Sequence, residues 1–249
     1  MRWNAGRIGS LDAIDGGRSL RALQLDWLDG VLGRGGSAPA STVLVFVTGA
    51  GVWRRTDRWP PPTTKTTWFL RAPDTLSPEP PGTDEPPACF VHHPADPVPV
   101  CGGALLLTDA YPAGPFDQRA IEARPDVLTW TGPQLTAPLE VAGRITAVLT
   151  TTSDGPAAWV ARLCDVRPDG TSINLADGVA RAEASADADP QEVRVDLWSA
   201  AHVFRPGHRL RLQVTASAHP RWEVPDTPGT RRVHHAAARP SRLVLPVSG

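Results

Sequence analysis

"VARLCDVRPDGTSINLADGVARA", Val160 to Ala182, sets two apolar stretches on either side of Arg167-Pro168-Asp169-Gly170. Proline presets φ, aspartate bonds its own backbone and glycine accepts positive φ, so the tetrapeptide is turn chemistry between two strands. The same ribbon carries Asp165, Asp169, Asn174 and Asp177, which invites a calcium reading. A loop of the EF-hand type needs oxygen ligands at alternate positions and a closing bidentate glutamate. Counted from Asp165, Arg167 takes the second ligand place and Ala176 the twelfth position. The spacing predicts a structural hairpin.

Downstream the two-residue period persists. "HRLRLQVTA" puts Leu210, Leu212, Val214 and Ala216 on one face, with Arg209, Arg211, Gln213 and Thr215 facing out. "QEVRVDLW" does the same with Val193, Val195 and Leu197, and upstream "EVAGRITAVL" does so with Val141, Ile145, Ala147 and Leu149. "SRLVLPV" reads as a last strand. Strands separated by turn residues, with no helix between them, predict an antiparallel β-sandwich, most simply a jelly roll.

Further upstream the pattern changes twice. Arg54 to about Arg124 is dense in proline and reads as an extended connector wrapped on a surface, because Trp59, Trp68, Phe69 and Phe90 need burial. Before it, "RSLRALQLDWLDGVLGR" spaces Leu20, Leu23, Trp27, Leu28 and Val31 as one helical stripe, ended by "GRGGSAP". "TVLVFVTGAGVW" (Thr42–Trp53) then reads as a strand buried on both faces. This helix and strand form an α/β pair that occurs once and never repeats.

Composition narrows the function classes. The 249 residues include 25 basic and 26 acidic side chains, so no strong field favours nucleic acid or an anionic membrane surface. Lys65 is the only lysine, and the 27 prolines and 22 glycines suit short strands better than long helices. No apolar run reaches membrane-spanning length and "MRWNAGRIGSLD" lacks a hydrophobic signal core, so a cytoplasmic protein is expected. Cys89, Cys101 and Cys164 are odd in number and form no C-x-x-C; reduced packing thiols are expected over a Cys89–Cys101 bridge.

Catalytic patterns are scarce. G-x-S-x-G occurs nowhere; Ser37 in "RGGSAP" comes nearest, but Pro39 stands in place of the second glycine. None of the cysteines has a basic or helix-start setting that would favour a thiolate. His92-His93 and His234-His235 are adjacent pairs that point to opposite faces of a strand. His202, His208 and His219 sit at strand edges and read as hydrogen-bonded loop residues. The nine tryptophans are scattered, which favours core and seam packing over a sugar-stacking platform. No metal or cofactor site is expected.

The order of segments carries more. "VFVTGAGVWRRTDRWPPP", "HHPADPVPVCGGALLL", "PAGPFDQRAIEARPDVLTWT", "LEVAGRITAVL", the opening ribbon, "VFRPGHRLRLQVTASAHPR" and "RPSRLVLPV" together resemble the C-terminal half of the cocaine-esterase and Xaa-Pro dipeptidyl-peptidase family of serine hydrolases. The likeness runs from about Leu20 to Val247. It implies a mainly β chain: a galactose-binding-like jelly-roll sandwich preceded by a helix–strand remnant of an α/β-hydrolase domain. On that resemblance, residues 1–53 are the remnant and 54–249 the jelly-roll domain, with 54–124 as connector and 125–249 as sandwich core. The helix Ser19–Leu32 and strand Thr42–Thr48 then stand for the last helix and strand of the hydrolase sheet.

The family's Ser-His-Asp triad lies upstream, its histidine in a G-P-W-[ST]-H stretch before the terminal helix. Here "MRWNAGRIGS" holds Trp3 but no histidine, so no catalytic residue transfers. "SAHPRWEVPDTPG" also departs from the family, which is richer in asparagine there. The resemblance implies that the stretch after Gly102-Gly103 approaches the catalytic cleft, which makes Leu106 and Leu107 candidate apolar wall residues. The chain is thus expected to be a non-catalytic portion, inactive alone, whose partner is an α/β-hydrolase domain in cis or on another chain. One alternative is a stand-alone carbohydrate-binding module, which a solvent-facing tryptophan pair would favour; the other is a docking subunit that completes a hydrolase on another chain.

Overall fold

The computed structural model describes residues 7–8, 11–12, 20–34, 43–104, 110–186 and 189–249. Two short strands, β1 (Arg7–Ile8) and β2 (Leu11–Asp12), pair with each other and precede helix α1 (Leu20–Val31). A hairpin follows, β3 (Val43–Val47) and β4 (Val52–Thr56), turning at Gly49 and Gly51, both of which take positive φ. The remaining strands form one large sheet: β5 (Thr64–Arg71), β6 (Thr75–Ser77), β7 (Ala88–His92), β8 (Leu128–Thr131), β9 (Leu139–Ser153), β10 (Ala157–Val166), β11 (Ser172–Ala182), β12 (Gln191–Phe204), β13 (Arg209–Thr215), β14 (Gly229–His234) and β15 (Arg242–Val247). A single helical turn, α2 (Arg119–Glu122), precedes β8.

The sheet folds over on itself to make a sandwich. One layer runs β11-β10-β13-β8; a parallel bridge from β6 to β8 at Thr75–Thr131 turns the corner into β5-β15-β9-β14-β7. Strand β9 is long enough for β12 to take one edge while β15 and β14 share the other. Between the layers, Trp159 and Leu163 of β10 and Leu210 and Leu212 of β13 share one core with Ile145, Ala147 and Leu149 of β9 and Val193 and Val195 of β12. Phe90 meets Trp159 edge-on at 6.3 Å between ring centroids. The alternation expected for β9, β12 and β13 is thus the one that fills this core.

The opening hairpin forms as its turn chemistry requires. Gly170 takes φ +84°, its N–H donates to the Arg167 carbonyl at 2.9 Å, and Asp169 Oδ1 accepts from the Thr171 N–H. The four polar residues do not converge. Asp165 meets two histidines, Asp169 stays in its turn, Asn174 Oδ1 accepts from the Phe116 N–H at 2.6 Å, and Asp177 pairs with Arg221.

Two expectations needed context that spacing does not supply. Gln213 and Thr215 face away from the core yet are buried, because α2 and the residues flanking it cover that side of β13. Glu122 of α2 accepts from Gln213 Nε2 at 2.7 Å and from Arg211 at 2.6 Å, and Val98, Ile121 and Val127 make a small second core there. Strand β3 is not buried on both faces: it pairs only with β4 among the described residues, and its side chains are mostly half-buried. The proline-dense stretch supplies β5, β6 and β7 to the sheet besides wrapping it.

Candidate functional site at the β11–β12 edge

Strands β11 and β12 are the edges of the two layers on one side of the sandwich. Where they cross, Gly178 lies so close that a Cβ there would sit 1.9 Å from the Asp196 carbonyl oxygen. Just beyond, β12 bulges. Asp196 pairs with Thr146 but Ser199 pairs with Arg144, so three steps on β12 match two on β9. The bulge places Trp198 at φ +66°, the only positive φ of a non-glycine among the described residues, and leaves its side chain 68% exposed. A bulky residue held in that region marks a conformation fixed by its surroundings. Here Asp196 Oδ1 accepts from the Trp198 N–H at 3.0 Å, while the same carboxylate binds Arg144 Nε at 3.0 Å. The arginine holds the Asp196 carboxyl below its usual range.

Trp198 and Trp222 both line a groove of about 630 Å³, with Gly103, Ala176 and Asp177 also among its lining. The Arg221 guanidinium lies 4.3 Å from the Trp222 ring centre and bonds Asp177 Oδ1 at 2.5 Å. Arg162, reaching up from β10, brings its Nη2 to 3.5 Å from Asp177 Oδ2. Asp177 is 5% exposed, and its Oδ2 has no hydrogen-bond donor among the described residues. Gly103 roofs this pair: a Cβ there would come within 3.2 Å of Asp177 Oδ2 and 2.9 Å of Arg221.

A second constellation joins the β3–β4 hairpin to the sandwich. The Thr48 N–H donates to the Ala201 carbonyl at 3.0 Å and the Val203 N–H donates to the Thr48 carbonyl at 2.9 Å. Thr48 Oγ1 lies 2.9 Å from His202 Nδ1, and His202 Nε2 lies 3.3 Å from Asp165 Oδ2. Asp165 also meets His208 Nδ1 at 2.8 Å. Hydroxyl, imidazole and carboxylate stand in a row as in a catalytic triad, but Thr48 is bonded into β12 through its N–H and its carbonyl, and its hydroxyl also lies 2.9 Å from the Ala201 carbonyl. This cluster fastens a seam.

The other singled-out residues fall elsewhere. Leu106 and Leu107 lie outside the described residues; Gly103, just before them, exchanges two backbone hydrogen bonds with Gly114 at 2.7 and 2.8 Å. His92 is buried with Nε2 2.9 Å from the Pro225 carbonyl, His93 is exposed, and His235 is buried against Trp130, so each adjacent pair does split between faces where this is seen. His202 is not a loop residue: it lies inside β12 and is buried, because the seam with Thr48 covers it. All three cysteines are free, and burial raises the thiol pKa of Cys101 and Cys164. Trp130, Trp159 and Trp68 are core residues as expected, whereas Trp198 was hidden among nine tryptophans. Its signal was a change of parity: Val193, Val195 and Leu197 point inward, then His202 and Phe204 do, which requires one extra residue between them.

A family model described as the X-Pro dipeptidyl-peptidase C-terminal non-catalytic domain matches residues 36–244. Cocaine esterase from Rhodococcus sp. (strain MB1 Bresler) is 33% identical over 239 residues, covering 82% of this chain and 41% of that protein. Among solved structures, an aminopeptidase from the marine sediment archaeon Thaumarchaeota archaeon matches with a TM-score of 0.87 at 26% identity, over 99% of this chain and 47% of that one. An alpha-amino acid ester hydrolase matches with a TM-score of 0.76 at 26% identity, over 86% of this chain and 42% of that one. The chain therefore spans less than half the length of each of these relatives.

Proposed function

Because this chain belongs to the family of X-Pro dipeptidyl-peptidase C-terminal non-catalytic domains, we propose that it is the β half of a two-part serine hydrolase. It holds no nucleophile of its own and works docked to an α/β-hydrolase domain, in cis or on another chain. The reaction of the assembled enzyme is hydrolysis of an ester or release of an X-Pro dipeptide. In that assembly β3 and α1 complete the hydrolase side, residues 54–249 make the jelly-roll domain, and Leu106 and Leu107 line the cleft.

The observation that carries this reading is the open apolar face of α1, upstream of a β3–β4 hairpin that the Thr48 seam ties to β12. On α1, Leu25, Trp27, Leu28 and Val31 are all exposed, Trp27 by 58%; the side chains of Leu20 and Leu23 lie outside the described residues. Contiguous apolar surface of this kind marks a face meant to be covered. No described helix is long and apolar enough to cross a membrane, so a protein surface is the cover this reading assigns.

The test is direct. The purified chain, incubated with p-nitrophenyl esters and with a fluorophosphonate probe, is expected to give neither turnover nor labelling. Covalent labelling of any of its serines would overturn the proposal.

A further inference from the structure

The groove between Trp198 and Trp222 has features that a docking face alone does not require. Two indoles line it and its polar groups are fixed. The Trp198 ring is held out by backbone geometry instead of by a flexible stem, since the bulge and the Asp196 cap set its φ. The lining charges are already paired: Asp177 with Arg221, and Asp196 with Arg144. A charged ligand would therefore meet no unpartnered counter-charge. A polyhydroxyl ligand would meet carboxylate and guanidinium edges whose directions the ion pairs have locked.

Two further details point the same way. Ser199, beside Trp198 on the bulge, is exposed at the groove's margin. The volume, about 630 Å³, lies within the range of small-molecule sites. A flat apolar plate beside fixed donors and acceptors suits a molecule with one apolar face and polar edges, which is what a pyranose ring presents.

We propose that the Trp198–Trp222 groove is a binding site for an uncharged saccharide, with a sugar ring stacked on Trp198 and hydroxyls directed to Arg221 and Ser199. The site goes beyond the hydrolase-half reading and does not depend on it.

The experiment uses the intact chain and galactose, lactose, cellotetraose and xylotetraose as probes, read by saturation-transfer NMR and calorimetry. At least one probe is expected to bind saturably, and binding is expected to weaken by about tenfold or more in Trp198→Ala, since every 1.4 kcal/mol of lost contact is that factor. Trp198→Gly is the second variant, because glycine accepts φ +66° without strain and keeps the fold if alanine does not. Trp27→Ala, on α1, is expected to bind like the parent. Absence of saturable binding by the parent chain overturns the proposal, as does binding that survives both Trp198 variants. So does a groove that takes no sugar but protects Trp198 when an α/β-hydrolase domain is added; that result would assign it to docking. Ester turnover is not read in these arms, so their outcome is separate from that of the hydrolase-half reading.

Discussion

Trp130 Nε1 donates a hydrogen bond to His235 Nε2 at 3.1 Å, and the other imidazole nitrogen, Nδ1, donates to the Pro86 carbonyl at 2.8 Å. Both side chains are buried, so the neutral Nδ1–H tautomer is fixed by its two partners. The bond ties β8 to the stretch after β14 and to the proline-dense segment before β7. Trp130→Phe removes the donor and strands a buried acceptor. It should cost about 1–3 kcal/mol beyond the lost ring volume. Trp159 is equally buried, yet its Nε1 has no partner among the described residues. Trp159→Phe carries no such polar penalty, so urea unfolding should show Trp130→Phe as the more damaging of the two.

The same burial makes stability depend on pH. Burial holds the imidazoles of His92 and His235 below the usual histidine range, and Arg231 adds a like charge near His92. In the unfolded chain both regain the ordinary value near 6.5, so between that value and the lowered one the unfolded state binds more protons. The stability is therefore fully present above about pH 6.5 and is lost as pH falls below it. The carboxylates of Asp117, Asp196 and Glu85, whose pKa values are lowered, act only further down, below their unfolded values near 4. A melting temperature that falls between pH 7 and pH 5, with the fall reduced in His92→Gln and His235→Gln, is the expected result. A flat profile over that interval would exclude it.

How far sequence reaches depends on what each pattern measures. Alternation in β9, β12 and β13 reports which side of a strand meets the core, and Leu210, Leu212 and Val214 lie there. It says nothing about a second cover, so Gln213 and Thr215 were expected outside while α2 and its flanks bury them. Turn chemistry at Pro168-Asp169-Gly170 is local and was legible for that reason. The groove was not, because it joins Gly103, Asp177, Trp198 and Arg221, which are distant in sequence and meet only when the sandwich closes. The Thr48–His202–Asp165 seam is of the same kind, its ends over a hundred residues apart.

Thiol chemistry should sort the cysteines by environment. Cys89 is exposed on β7; Cys101 is half-buried with its thiol pKa raised by burial; Cys164 is fully buried in β10 and raised further. Only the thiolate attacks an aromatic disulfide reagent, and attack also requires access. In native buffer at pH 8 Cys89 is expected to react first, Cys101 slowly and Cys164 only after denaturation. Fast native labelling of Cys164, located by peptide mapping, would contradict the packing of β10 described above.

The seam offers the sharpest structural test, because one atom decides it. Gly49 takes φ +78°, and a Cβ there would sit 2.1 Å from the Val203 carbonyl oxygen, a backbone atom that has no freedom to rotate away. Two penalties therefore coincide in Gly49→Ala: a left-handed backbone carrying a side chain, and a steric clash with β12. The cheapest relief is to move the hairpin, which breaks the Thr48 bonds to Ala201 and Val203 and the grip of Arg205 on the Gly49 carbonyl. The core between β9 and β13 contains none of these atoms. Hydrogen exchange should consequently accelerate at the Val203 amide, whose acceptor is the Thr48 carbonyl, and stay slow at Leu212 in β13. Gly51→Ala shares the positive φ but meets nothing within 4 Å, so it isolates the backbone cost alone. If both variants exchange alike at Val203, contact between hairpin and sandwich is not what holds Thr48 in place.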